Sequence, residues 1–108
     1  MPPSPLSPYL TLINQIFDLK KKVQNLSQAK SLDRNLTRMQ GAVTELGFVW
    51  HDPTGESYDE TRTDCEASIV GENNDSLYIK ETIKPLIWWK ENGVSQIVQR
   101  AVVIVEGR

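Results

Sequence analysis

The chain has almost none of the residues that carry covalent or metal chemistry. One cysteine, Cys65, and one histidine, His51, stand in 108 residues. A single thiol excludes an intramolecular disulfide framework and any zinc site built on several cysteines. No stretch approaches the roughly 20 apolar residues of a membrane span. The opening MPPSPLSPYLTL lacks the basic n-region and apolar core of a secretory signal. No charge of one sign dominates: 12 Lys and Arg face 14 Asp and Glu, a net charge of −2. That balance argues against nucleic acid as the main partner. The expectation is a reduced, soluble, cytoplasmic protein of one small domain, with no nucleic acid and no membrane among its partners.

Catalysis has little material. His51, Asp52 and Cys65 are close in sequence, so a Cys-His pair is conceivable, but no nucleophile motif surrounds the cysteine. The bland reading is a buried apolar thiol and a surface imidazole. Asp59, Glu60, Asp64 and Glu66 lack EF-hand spacing and a histidine partner, so no metal site is expected. No P-loop or dinucleotide-binding glycine motif occurs, so no cofactor is expected. The chain reads as a non-enzyme.

What is present is pattern. Four of the six prolines lie in residues 1–8, a flexible arm of polyproline-like backbone. Apolar residues then recur at coiled-coil spacing: Leu12, Ile16, Leu19, Val23 and Leu26, and again Leu32, Leu36, Met39, Val43 and Leu46. Ala29 between the two runs marks either a stammer or a helix break near 27–31, with Ser31 a candidate N-cap. A continuous helix over 9–46 would be about 57 Å long, against a radius of gyration near 13 Å for a compact domain of about 100 residues. Its seam would be covered by a second chain, or by folding into a helical hairpin. These ten residues are the expected dimerisation set, in a homodimer. Lys20, Lys21 and Lys22 read as a solvated helix face.

Charge changes sign along the chain. Residues 1–46 carry six Lys or Arg against three Asp or Glu, and residues 47–108 carry six against eleven. The pattern changes at the same place. Gly47 follows the last seam residue as a helix C′ glycine does. Phe48–Trp50 is a short strand, 52–55 a turn, and Ala67–Val70 a second strand. Glu91-Asn92-Gly93 is a hairpin signal, and Val94–Val105 reads as one return strand ending in an apolar run buried on both faces. Trp88 and Trp89 must face opposite sides of an alternating strand, so one core face takes at most one of them. The expected fold is α+β: an arm over 1–8, a helical segment over 9–46, and a small, mostly antiparallel β domain over 47–108.

That order of elements resembles the GrpE family, the nucleotide exchange factors of Hsp70 chaperones. Leu36-Thr-Arg-Met39 through Leu46-Gly47-Phe48-Val49 is similar to the family's last helix entering its β domain. Gly55-Glu56-Ser57-Tyr58-Asp59 is similar to its Gly-x-x-Phe-Asp-Pro stretch, and Val98–Val105 to its closing Arg-Pro-Ala-x-Val-x-Val strand. The family's Gly-Tyr pair has no counterpart, Leu86-Ile87 standing near its place. The resemblance covers about residues 30–105. It implies a parallel homodimer that binds an Hsp70-like ATPase and promotes ADP release without chemistry of its own. Its contact surface would include Gly47, Phe48 and Trp50 at the helix-to-β junction, with Leu86 and Trp88 on the β domain. The second reading is a coiled-coil/β adaptor that recruits another partner.

Overall fold

The computed structural model describes residues 1–26, 30–72 and 75–108. The fold is α+β. Helices α1 (Ser7–Gln24) and α2 (Lys30–Glu45) precede strands β1 (Phe48–His51), β2 (Cys65–Val70), β3 (Leu77–Lys84), β4 (Leu86–Glu91), β5 (Val94–Gln99) and β6 (Ala101–Gly107). The strands form two three-stranded sheets, ordered β1-β4-β5 and β2-β6-β3. Among the described residues no helix is long and apolar enough to cross a membrane. The chain divides into two compact units, one of 1–49 with 89–95 and one of 50–88 with 96–108. The first of these units includes the β4–β5 hairpin tip together with the helices.

In the helical unit, a continuous helix does not form. α1 closes at Gln24, where the Asn25 N–H donates to the Lys22 carbonyl at 3.2 Å and the Leu26 N–H to the Val23 carbonyl at 3.0 Å. These i→i+3 bonds tighten the last turn and satisfy carbonyls that the helix leaves open. Lys21 and Lys22 lie in that turn, where the helix dipole favours cations. α1 starts two residues earlier than expected because Pro8 suits a first turn, whose N–H groups have no intrahelical partner. Ser31 lies inside α2 rather than capping it; Ala29 and most of the expected break lie outside the described residues.

α1 and α2 pack on each other, and this divides the expected seam. Ile16, Val23, Leu36 and Val43 are buried, together with Ile13 and Phe17. Leu12, Leu19, Leu26, Leu32 and Leu46 remain 43–57% exposed, and Met39 is half-buried. The reason is geometric: seam positions lie on two adjacent rows of a helix, and one neighbouring helix covers one row.

In the second unit, β6 is the central strand of its sheet. It pairs parallel with β2 and antiparallel with β3, so the sheet is mixed rather than antiparallel throughout. The single return strand expected over 94–105 is broken at Arg100. There Nε donates to the Thr63 carbonyl and Nη2 to the Cys65 carbonyl, and the Ala101 N–H donates to the Asp64 carbonyl. These bonds engage β6 with β2, while β5 belongs to the other sheet. Ala101, Val103 and Val105 are buried and form the core with Cys65, Ile79 and Leu86; Val102 and Ile104 are half-buried. Strong turns link the pieces. Asn92 and Gly93 both have positive φ between β4 and β5, as a two-residue hairpin of the I′ kind requires. The Glu56 N–H donates to the Pro53 carbonyl across the 53–56 turn.

Candidate protein-binding surface

The junction at Gly47 belongs to the helical unit. α2 ends as the Leu46 N–H donates to the Ala42 carbonyl and the Gly47 N–H to the Thr44 carbonyl, both at 3.0 Å. Gly47 has φ +104°, and a Cβ placed there would meet the Trp89 ring at 2.6 Å. The residue is therefore required twice, for its backbone conformation and for the ring that lies against it. The Lys90 N–H donates to the Gly47 carbonyl at 2.8 Å. Phe48 follows, buried between the Tyr9 ring at 5.6 Å and the Trp89 ring at 5.0 Å, the latter edge-on. Beyond Trp89, Glu91 accepts the indole Nε1–H at 3.1 Å and pairs with the Met1 amine. These two donors hold the Glu91 carboxyl below the usual carboxylate range.

In the second unit, Trp50 is half-buried and Leu86 buried. Trp88 is half-buried and packs against the β core, with the His51 ring 6.5 Å away. Of the five expected contact residues, Phe48 and Leu86 are thus occupied by packing, and Gly47 is covered by Trp89. Trp50 and Trp88 keep partly exposed rings. The two adjacent tryptophans serve opposite faces, as alternation requires: Trp89 closes on Gly47 and Phe48, and Trp88 on the β core.

A polar ladder connects the residues considered for catalysis. His51 Nε2 pairs with Glu56; Arg62 Nη2 donates to Glu56 Oε1 at 2.7 Å, and Arg62 Nε to Asp64 Oδ1 at 2.7 Å. Arg62 Nη1 also donates to the Ser57 carbonyl at 3.0 Å. Partial burial raises the Glu56 pKa, but hydrogen bonds from Arg62 and His51 outweigh it and hold the carboxyl below its usual range. The Arg62 hydrogen bond does the same for Asp64. Burial first, and the neighbouring Asp64 second, push the Cys65 thiol up to about 11. At neutral pH it is a protonated apolar side chain, not a thiolate nucleophile. His51 and Cys65 meet only through this ladder, which ties the 52–64 segment to β2. Among the described residues no cluster of His, Cys, Asp and Glu could hold a metal ion.

Arg62 and Trp89 were not singled out from the sequence as site residues. Arg62 had a signal, being the one cation in residues 47–79, surrounded by carboxylates that needed a counter-charge. Trp89 had none beyond the alternation that set it opposite Trp88. Comparison with protein-family models, with curated proteins and with solved structures finds no match for this chain.

Proposed function

We propose that the chain is a non-catalytic co-chaperone of the GrpE type, which binds the ATPase domain of an Hsp70-type protein and promotes release of ADP. The observation that carries the reading is the junction. A helix ends at Leu46-Gly47, the glycine is locked under Trp89, and β1 leaves directly into the strands, in the order expected from the resemblance. A junction glycine held by the Trp89 ring and the Lys90 N–H suits a protein that works by binding rather than by chemistry. Such a factor must bind the open state more tightly than the closed one; a shift from 1:99 to 99:1 takes a preference of about ten-thousandfold.

The working species in this reading is a parallel homodimer joined through Leu12 and Leu19 of α1, Leu32 and Met39 of α2, and Leu26 and Leu46, which lie just beyond the two helix ends. Support comes from the exposure of the five leucines, with Met39 half-buried between two of them, at seven-residue spacing within each run, since soluble monomers rarely carry contiguous apolar patches of that kind. Ile16, Val23, Leu36 and Val43 take part only in packing within each copy.

Stopped-flow release of labelled ADP from the Hsp70-type ATPase of the same cell tests the exchange role. Saturating protein is expected to accelerate release by about tenfold or more; no acceleration overturns the reading. One observation favours the adaptor alternative: burial of Phe48 and Leu86 removes two of the expected contact side chains. In that case the stable partner recovered with the full chain would not be an Hsp70-type protein.

A further inference from the structure

Among the described residues, no strand pairs with the outer edge of β2 in the sheet of the second unit. The opposite edge, β3, is covered by residues 55–58. There the Gly55 N–H donates to the Ile79 carbonyl, the Tyr58 N–H to the Leu77 carbonyl, and the Ile79 N–H to the Glu56 carbonyl. β2 runs parallel to β6 with Cys65 beside Ala101, Ala67 beside Val103 and Ile69 beside Val105. Because the Ala101 N–H donates to the Asp64 carbonyl, the evenly spaced parallel ladder turns the backbone groups of Glu66, Ser68 and Val70 inward. Those of Cys65, Ala67 and Ile69 face outward. Arg100 occupies the Cys65 carbonyl. The N–H and C=O groups of Ala67 and Ile69 remain aimed away from the sheet.

Natural edge strands are guarded by proline, lysine or a bulge. β2 reads Cys-Glu-Ala-Ser-Ile-Val; it has no proline, lysine or bulge, and its one charged residue, Glu66, pairs with Arg100. Its register with β6 is unbroken, whereas β3 carries two shifts. The same two residues also shape the core face. Ala67 packs on the core, and Ile69, 43% exposed, forms a wall of a cleft of about 700 Å³. Tyr58 and Leu77 supply further apolar lining, and Asp59, Glu60 and Arg108 the charges. Arg108 lies 4.8 Å over the Tyr78 ring, and carboxylates outnumber cations in the lining.

We infer that β2 receives an extended peptide segment of another protein, which adds as a fourth strand. One large apolar side chain of that segment enters the cleft, and a basic neighbour meets Asp59 and Glu60. Strand addition matches the chemistry on offer, since outward backbone groups recognise backbone and an adjoining pocket recognises a side chain. A second copy of β2 suits the edge less well. Its one charged residue, Glu66, has the wrong sign to meet Asp59 and Glu60.

Synthetic peptides of about seven residues, alternating valine and threonine around a central phenylalanine, provide the probe. They are titrated into the full chain with lysine flanks, with glutamate flanks, or with a proline beside the phenylalanine. The lysine-flanked peptide is expected to slow amide exchange at Ala67 and Ile69 by about tenfold or more, while glutamate flanks weaken binding by about tenfold and proline abolishes it. Ile69→Pro removes one outward N–H at a position where an edge strand tolerates proline, and is expected to abolish binding. The exchange measurement on the unaltered chain stands even if that variant misfolds. Three results overturn the inference: no peptide protects these amides, protection falls on β5 instead, or the amides become protected with rising protein concentration alone, which would make a second copy the occupant.

Discussion

Replacing Gly47 by alanine tests the junction most directly. The new Cβ would sit 2.6 and 2.8 Å from two Trp89 ring carbons, at a backbone φ of +104°. Ordinary carbon contacts begin near 3.5 Å, so ring or backbone must move by most of an ångström. An L-residue held in that backbone region costs about 1–3 kcal/mol, and overpacking a filled site costs about 1–3 more. The sum, about 2–6 kcal/mol, is a large part of the 5–15 kcal/mol that usually holds a domain together. At about 4–8 °C per kcal/mol for a domain near this size, Gly47→Ala should melt at least about 8 °C below the unaltered chain. Gly41, in α2, is the internal control. A Cβ there meets nothing within 4 Å, so Gly41→Ala should stabilise by about 0.5–1 kcal/mol through helix propensity. Thermal melts followed by circular dichroism and tryptophan fluorescence read both. In a Trp89→Leu background the Gly47→Ala cost should shrink to its backbone part. A Gly47→Ala melt within about 2 °C of the unaltered chain, or a cost unchanged by removing the Trp89 ring, would refute the reasoning.

Three further outcomes are expected. Leu19→Asp with Leu46→Asp should lower the mass seen by sedimentation equilibrium while leaving helicity intact, whereas Leu36→Asp should destroy helicity; an unaltered chain already monomeric at micromolar concentration would sink the dimer. Glu56 and Asp64 have lowered pKa values in the fold, so the folded state binds fewer protons than the unfolded one; their stabilisation is present above the ordinary carboxylate range and lost as pH falls through the folded values. Arg62→Met should therefore cost about 1–3 kcal/mol at neutral pH and flatten the acid side of the stability profile, and equal acid sensitivity in both proteins would count against the ladder. Cys65 should resist iodoacetamide at neutral pH in the folded chain and react once urea unfolds it, because burial raises its pKa to about 11; rapid labelling without denaturant would contradict this.

Local signals were legible where one residue carried them. Gly47 ended a helix, Asn92-Gly93 made a hairpin, and Phe48–Trp50 began a strand that runs one residue further, to His51, because backbone preference decides most of such places. The seam at 12–46 was legible as apolar but not as divided, since spacing gives the rows on a helix and not which row a neighbour covers. The break at Arg100 was hidden inside a run that reads as one strand, and became visible only through the Thr63 and Cys65 carbonyls that hold the guanidinium. Parallel pairing of β2 with β6 joins residues more than thirty positions apart, which no local pattern encodes. The same limit applies to the contact residues: Phe48 and Leu86 are apolar whether they face a partner or a core, and their burial follows from tertiary packing.

The central place of β6 also has a consequence for how the chain is made. β2 and β3 have no ladder with each other; each is joined to the sheet through β6, which leaves the ribosome after both. Until it emerges, two strands with apolar faces wait without a partner. Pairing across such long sequence separation is slow, so this sheet forms late, in one step, around its final strand. A stop codon before residue 101 would remove the middle of the sheet rather than trim its edge, and the nascent chain would be an early client for whatever chaperones attend the ribosome.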